Sequence, residues 1–467
     1  MRKEAVQSED MAYFRNLYQC IYDASDAARS KDNGPVDCIK FKELGSRLEA
    51  CLPKLPPIYR EELCKPYVNS LEKLGEAGFD QVLLMDPEKT DEACLMLDIA
   101  QAILQHGEGY KKIATDALQE IVSDLYDGFL SAEDRHDIKL PDLETIAPII
   151  KWGSPKSGPY TWPADSTANF GVKTAVVNFP PAHAQCGLLA WAALGHETAG
   201  HDIIHADIGL SRELKDRLWK AMQEANLAPP FPEYWASRID ETASDVLGIL
   251  NMGPAAGISL IGYFRGLNFA WIGKPTLRCI GPTDDPHPAD MLRGYLAASV
   301  VKLLNFSKAS LWSAAIEAET DKDLTTILLG EKRIETHDAK LSVDIVASCL
   351  VNGKMRSLEN HAFGEIQNWS DNDEMIVEHI RSLLKANDPL PELYSKGTYA
   401  AHVVAAAVLE ALMGNAGIPT IFARMIDVLK VMHDKNPSWG PLYIRNPGDV
   451  VPQKAWQFIR RLENLNS

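Results

Sequence analysis

The stretch of sequence that decides the fold of this chain reads Gly195-His196-Glu197-Thr198-Ala199-Gly200-His201-Asp202-Ile203-Ile204-His205. It holds three imidazoles and two carboxylates, and an apolar run, 188–194, comes directly before it. Buried charge must be paired or bound to a metal, so packing alone does not explain so many polar groups in an apolar setting. We therefore predict a metal site on a buried helix.

The turn of a helix decides which of these side chains can share one ion. At about 100° per residue, His196 and His201 would lie roughly 140° apart, whereas Glu197, His201 and His205 would form a stripe at i, i+4 and i+8. A single π-bulge, which Gly200 would permit most easily, would bring His196 and His201 to one face. The spacing leaves two ligand pairs open: His196 with His201 across a bulge, or His201 with His205 on a regular helix.

The motif 196–201, His-Glu-Thr-Ala-Gly-His, resembles the H-E-x-x-G-H signature of the dipeptidyl-peptidase III family, zinc exopeptidases of the gluzincin type within the zincin class. A second stretch, 240–248, resembles the second motif of that family. The resemblance implies that His196, His201 and Glu241 bind zinc and that Glu197 is the general base that activates water.

A second carboxylate accompanies Glu241 on the helix predicted at about 234–251. Glu241 and Asp245 lie one turn apart, and two carboxylates in this relation repel each other unless a cation is near. With Glu241 as a ligand, we expect Asp245 to accept a hydrogen bond from the N–H of a ligand histidine. An exposed and solvated pair is the other interpretation.

A proline-bounded segment further along supplies more candidate catalytic residues. Its pattern, His287-Pro288 followed by Arg293, is similar to a His-Pro segment of the zincins that process CAAX proteins. His287, Arg293 or Tyr295 would provide the donors that stabilise an oxyanion. A capping histidine and a surface arginine are the alternative.

The pattern of apolar residues predicts a mainly α fold of the α+β class. We expect a zincin-like core around the metal helix at 146–310, flanked by helical lobes at 1–145 and 311–467. The segment 173–180 reads as a short strand ahead of the metal helix. In zincin-class proteases an edge strand in this place pairs with extended substrate backbone. The stretch 152–163 reads as a loop, and Gly253-Pro254 as the end of a helix.

Composition excludes several partners and compartments. A formal net charge of −17 without a basic run argues against nucleic acid, whose binding depends on Lys and Arg. The eight cysteines form no C-x-x-C pair, which favours reduced thiols, and none is expected to bind zinc. The N-terminus has no apolar signal region and we find no run of about twenty apolar residues, so we expect a cytoplasmic protein without a membrane partner.

These features predict a zinc-dependent hydrolase, a metallopeptidase acting on a peptide or small amide with Glu197 as base. The same two-His-one-carboxylate set would also suit iron(II) and oxygen chemistry, because ligand type alone does not select the metal. A metal-stabilised binding protein is the third possibility. A carboxylate directly after the first histidine favours hydrolysis, since an oxygenase has no evident need for a base there.

Overall fold

The structure is a computed structural model that describes residues 14–130, 138–139, 141–142, 146–154, 158–227, 229–385, 398–436 and 439. Within these residues the chain is mainly helical with two small sheets, which confirms the predicted fold class. The outer ends of the two predicted lobes, 1–13 and 440–467, lie outside the described residues.

The helices and strands follow one another along the chain with short connections. The α-helices are α1 (Leu17–Ala28), α2 (Phe41–Cys51), α3 (Pro57–Tyr59), α4 (Lys65–Met85), α5 (Glu92–Glu108), α6 (Lys112–Leu130), α7 (Ala164–Thr167), α8 (Leu188–Ala192), α9 (Asp202–Ala206), α10 (Leu210–Glu224), α11 (Phe231–Ala236), α12 (Ile239–Ile272), α13 (Asp290–Lys302), α14 (Ala309–Asp321), α15 (Thr336–Asn352), α16 (Phe363–Ile366), α17 (Asp371–Lys385), α18 (Ala400–Met413) and α19 (Ile418–Asp434). The strands are β1 (Ile146–Trp152), β2 (Tyr160–Trp162), β3 (Thr174–Phe179), β4 (Ile280–Gly281), β5 (Ile327–Leu329) and β6 (Lys332–Ile334). Other turns are 3₁₀-helical at Leu52–Lys54, Ala168–Phe170, Pro181–Ala184 and Arg356–Leu358, and π-helical at Arg60–Cys64 and Gly195–His201.

The first sheet lies beside the predicted metal helix and has the strand order β1-β3-β2. Strand β3 pairs in parallel with β1 and antiparallel with β2. The predicted strand at 173–180 is therefore present, but it is the central strand and not the edge strand. The strand at the edge near the metal helix is β2, which lies in the stretch predicted to be a loop. The second sheet, β4-β5-β6, is separate.

The first sheet separates two apolar cores. Because successive side chains of a strand point to opposite faces, Val176 packs with α2, α4 and α5, while Val177 and Phe179 pack on the other side. That second core also contains residues of α1, α6, α12, α18 and α19. The cores are thus divided differently from the three predicted segments, because helices from the first and last segments share the second core.

Helix α12 crosses that core and supplies one wall of the predicted site. Its backbone is non-helical at Gly253, where φ is 61° and ψ is −150°. A side chain there would collide with the ring of Trp369, whose Cε2 lies 2.5 Å from the position of the missing Cβ. The predicted end at Gly253-Pro254 is therefore a kink, and the helix resumes at Pro254, which is well suited to a first helical turn.

Helix α12 is also long and apolar enough to cross a membrane by length and composition. The sequence analysis found no such run, because glycine, asparagine and serine residues interrupt the apolar ones. Its most apolar window is wholly buried inside the protein, as in the core helix of a globular domain, and this feature is weak evidence for a membrane span.

Candidate metal centre

The predicted π-bulge is present: Gly195–His201 is π-helical. It brings the rings of His196 and His201 together, with centroids 4.9 Å apart and planes at 84°. His205 is directed elsewhere, with Nδ1 3.2 Å from Asp165 and Nε2 3.9 Å from Asp240. Of the two ligand pairs that spacing left open, the structure therefore assembles His196 with His201.

Close contact with α12 explains why glycines surround these histidines. A Cβ on Gly200 would lie 2.3 Å from Cα of Ser244, and one on Gly195 would lie 3.0 Å from Cα of Gly248. Only glycine allows the two backbones to approach this closely. The sequence analysis assigned Gly200 to the bulge alone; the structure adds that it seats the π-helix against α12, which carries Glu241.

The start of the metal helix is fixed from the other side by α1. Gly187 has a positive φ of 75° ahead of α8, and Asp23 in α1 accepts hydrogen bonds from the backbone N–H groups of Gly187 and Leu188 at 2.9 and 2.8 Å. A carboxylate at this position satisfies backbone donors that a helix start leaves without partners. The segment that carries the histidines is therefore held at both ends.

Three side chains present their donor atoms to one point. In His196, His201 and Glu241, one ligand atom from each lies within 4.8 Å of the others. Nε2 of His196 is 3.2 Å from Oε2 of Glu241, and Nε2 of His201 is 3.7 Å from Oε1. Zinc ligands at the usual 2.0–2.1 Å in a tetrahedron are about 3.3 Å apart, so this spacing fits the ion.

An unsatisfied atom supports the same fit. Oε2 of Glu241 is buried without a hydrogen-bond partner, although Nε2 of His196 is near, because the two atoms are not aligned for a hydrogen bond. An unpaired buried carboxylate oxygen is strongly unfavourable. Atoms that converge without bonding each other are expected where a cation lies between them. These residues therefore fit a divalent metal.

Asp245 supports His196 from behind, as the sequence predicted. Its Oδ1 lies 2.9 Å from Nδ1 of His196, and both oxygens accept from Arg293, each at 2.7 Å. Arg293 is buried and its guanidinium also lies over the ring of Phe264, 4.4 Å from the centroid. It cannot reach a substrate from there. The prediction that Arg293 stabilises an oxyanion is corrected: it positions Asp245.

Burial and neighbouring charge divide the pKa values of the two histidines. Burial disfavours the charged form of His196, but the carboxylates of Asp245 and Glu241 outweigh it and raise its pKa to about 10. Burial, and then the charge on His196, lower the pKa of His201 to about 4. Burial opposes the ionisation of Glu241, yet these histidines hold its pKa well below its usual range. The site thus keeps one cation beside an ionised carboxylate, in the place a metal would take.

Glu197 is buried next to the ligands and has the properties of a proton carrier. Burial raises its pKa to about 7, while the positive charge on His196 opposes the rise. The hydroxyl of Thr161, on strand β2, lies 3.1 Å from Oε2 and 3.0 Å from the backbone oxygen of Glu197. Sequence reasoning missed Thr161. The only signal was the alternation of aromatic and β-branched residues in Tyr160-Thr161-Trp162.

The other two predicted catalytic residues differ in position. His287 faces the site, with Nε2 3.5 Å from Oε1 of Glu241, Nδ1 3.0 Å from Asp285 and a side chain that is 47% exposed. Tyr295 does not: its hydroxyl donates to Asp321 at 2.7 Å and its ring lies under Lys340. Residues two apart on a helix point about 200° from each other, so Tyr295 faces away from Arg293 and the metal centre. The prediction that Tyr295 contributes to the site is corrected.

Comparison of the chain with protein-family profiles, curated proteins and solved structures finds no match. Any functional interpretation therefore depends on the side chains themselves. They form two imidazoles and a carboxylate that converge on one point, a buried carboxylate beside them, and an exposed imidazole on the open side.

Proposed function

We propose that the protein is a zinc-dependent hydrolase, a metallopeptidase that cleaves a peptide or a small amide. The observation that carries the proposal is the position of Glu197, buried directly after His196 and beside the three converging donors. A metal site with a purely structural role has no use for an unpaired acid whose pKa is about 7. A general base, in contrast, works best with a pKa near the working pH.

His196, His201 and Glu241 would hold the metal and leave a coordination position open, as catalytic zinc sites do. Zinc in such a site polarises a carbonyl oxygen and lowers the pKa of a water molecule. Glu197 then takes the proton of the attacking water and transfers it to the nitrogen of the leaving amine. Thr161 orients the Glu197 carboxylate through the contact at Oε2.

His287 is suited to the developing negative charge on the substrate oxygen. Its imidazole lies at the open side of the site near Glu241, and Asp285 both contacts Nδ1 and accepts from its backbone N–H at 2.9 Å. A donor aimed at the place where charge develops is the main requirement for stabilising a tetrahedral intermediate. We therefore assign the oxyanion role to His287 alone.

The edge of the first sheet supports a peptide as the substrate. Strand β2 pairs with β3 on one side, and its other side has no partner strand among the residues described. Exposed strand edges bind extended peptides through backbone hydrogen bonds. Because Thr161 of β2 contacts Glu197, a peptide paired with this edge would pass the general base.

The test is the variant Glu197→Gln, which removes the proton carrier and keeps all three ligands. Zinc-loaded parent and variant are incubated with a defined peptide mixture, cleavage is followed by mass spectrometry, and bound zinc is measured. We expect the variant to lose turnover and retain the metal, whereas Glu224→Gln, on the exposed face of α10, behaves like the parent. Equal cleavage by Glu197→Gln and parent would refute the proposal. Iron in protein purified without added metal, with oxygen-dependent turnover, would replace it with the oxygenase alternative.

A further inference from the structure

A buried carboxylate outside the metal centre binds the edge strand from its far side. Asp98, in helix α5, accepts a hydrogen bond from the hydroxyl of Tyr160 at 2.6 Å and another from Nε1 of Trp162 at 2.8 Å. The ammonium of Lys151, in strand β1, contacts its other oxygen. Asp98 and Lys151 are both buried. Asp98 therefore joins an N-terminal helix to two strands of the sheet.

The geometry of a strand links this carboxylate to the general base. Tyr160 and Trp162 point to one face of β2, and Thr161, between them, points to the other. Both outer residues bind Asp98, whereas Thr161 contacts Glu197. Asp98 thus holds the residues on either side of Thr161, and the strand lies between Asp98 and Glu197.

Strand β2 needs such an anchor because it is only three residues long and pairs with β3 over those three positions. Hydrogen bonds to an ionised carboxylate are roughly twice as strong as those between neutral groups. Burial, and then the negative charge of Asp98, raise the pKa of Tyr160, so its phenol remains a donor. Lys151 compensates the buried charge of Asp98, so the two strand donors are not required for charge balance.

We propose that Asp98 is a positioning residue, which through Tyr160 and Trp162 fixes strand β2 as the substrate-binding edge and aligns Thr161 with Glu197. This inference rests on the proposed hydrolase function. Among the contacts described for Asp98, Tyr160 and Trp162, none involves His196, His201 or Glu241. Loss of the anchor should therefore affect substrate binding and turnover and leave zinc binding unchanged.

The test uses the double variant Tyr160→Phe/Trp162→Phe, which removes both strand donors and preserves the buried Asp98–Lys151 pair. Asp98→Asn would leave Lys151 without its counterion and is therefore the weaker choice. Tyr18→Phe is the matched control, because the hydroxyl of Tyr18 is exposed and contacts Tyr22. Backbone hydrogen exchange at 160–162, zinc affinity, and kcat and KM for a cleaved peptide are measured for each protein.

We expect faster exchange at 160–162, an unchanged zinc affinity, and a loss of kcat/KM of about tenfold to hundredfold, with KM raised. Thr161→Val should add little to the kcat loss of the double variant, because both changes act on the same contact. Unchanged exchange at 160–162, or a zinc affinity that falls in parallel, would overturn the inference. If the parent protein cleaves no peptide, the proposed function fails, and hydrogen exchange still decides whether Asp98 fixes the strand.

Discussion

Oδ1 of Asp245 lies 2.9 Å from Nδ1 of His196, while Nε2 of the same ring faces Glu241. A carboxylate at Nδ1 fixes the tautomer and the orientation of the imidazole and leaves Nε2 for a metal. Arg293 fixes the carboxylate in turn, through two hydrogen bonds of 2.7 Å. The first ligand is therefore set by a chain of three buried side chains from three helical segments.

Asp245→Asn should lower zinc affinity about 10- to 100-fold without removing a ligand, because the amide holds the imidazole less firmly. Competition with a chromogenic chelator measures the effect. Asp240→Asn, in the same helix and partly exposed, is the control and should leave affinity close to that of the parent. Equal losses in the two variants would mean that Asp245 does not orient His196.

The three histidines of the motif should differ sharply in their contribution to metal binding. His196→Ala and His201→Ala each remove a converging donor, and we expect metal affinity to fall by orders of magnitude. His205→Ala should lower it only modestly, since His205 contacts Asp165 and Asp240 instead. Metal content after dialysis against a weak chelator ranks the variants. A larger loss for His205 than for His196 would favour the regular-helix ligand set.

Metal binding should release about one proton at pH 8. At that pH His196, with a pKa of about 10, is protonated, whereas His201, with a pKa of about 4, is already neutral. Glu197, with a pKa of about 7, is mostly ionised. A metal at Nε2 must displace the proton of His196, so apparent affinity should rise about tenfold per pH unit from pH 8 toward pH 10. Calorimetry in two buffers of different ionisation enthalpy counts the protons, and a count near zero would contradict the raised pKa of His196.

The sequence predicted the parts of the site that lie close together along the chain. The six-residue motif predicted the bulge, since His196 and His201 share a face only on a distorted helix, and the spacing of Glu241 and Asp245 predicted neighbours on one face of α12. Tyr295 failed for a reason available from helix geometry, because it lies about 200° from Arg293.

Contacts between distant segments were beyond sequence reasoning. Thr161 reaches Glu197 from a three-residue strand between prolines, which is too short to give a clear period of two. Arg293 was taken for a surface or catalytic group because nothing local indicates that Asp245 and Phe264 enclose it. Burial of a charged residue depends on tertiary partners, which composition and spacing do not identify.

Gly200→Ala should destabilise the protein and weaken metal binding together. Its Cβ would lie 2.2 Å from Cβ and 2.3 Å from Cα of Ser244, so the π-helix must move away from α12 and from Glu241. Overpacking of this kind costs about 1–3 kcal/mol, and a collision with backbone belongs at the upper end. Gly45→Ala in helix α2, where a Cβ meets nothing within 4 Å, should instead stabilise by about 0.5–1 kcal/mol. Urea unfolding and zinc titration of both variants check the prediction, which fails if Gly200→Ala binds zinc as tightly as the parent.

Folding stability should fall between pH 6.5 and pH 4 through a histidine far from the ligands in sequence. His183 is buried and stacks on Phe179 with centroids 4.5 Å apart, and burial lowers its pKa to about 4. The unfolded chain binds a proton at this histidine below about pH 6.5, whereas the folded chain does not until about pH 4. Acid therefore favours unfolding across this interval, by about 2 kcal/mol between pH 7 and pH 5. In His183→Phe, which keeps an aromatic ring on Phe179, that part of the pH dependence should disappear from urea unfolding curves. The same slope in parent and variant would show that His183 is not the group responsible.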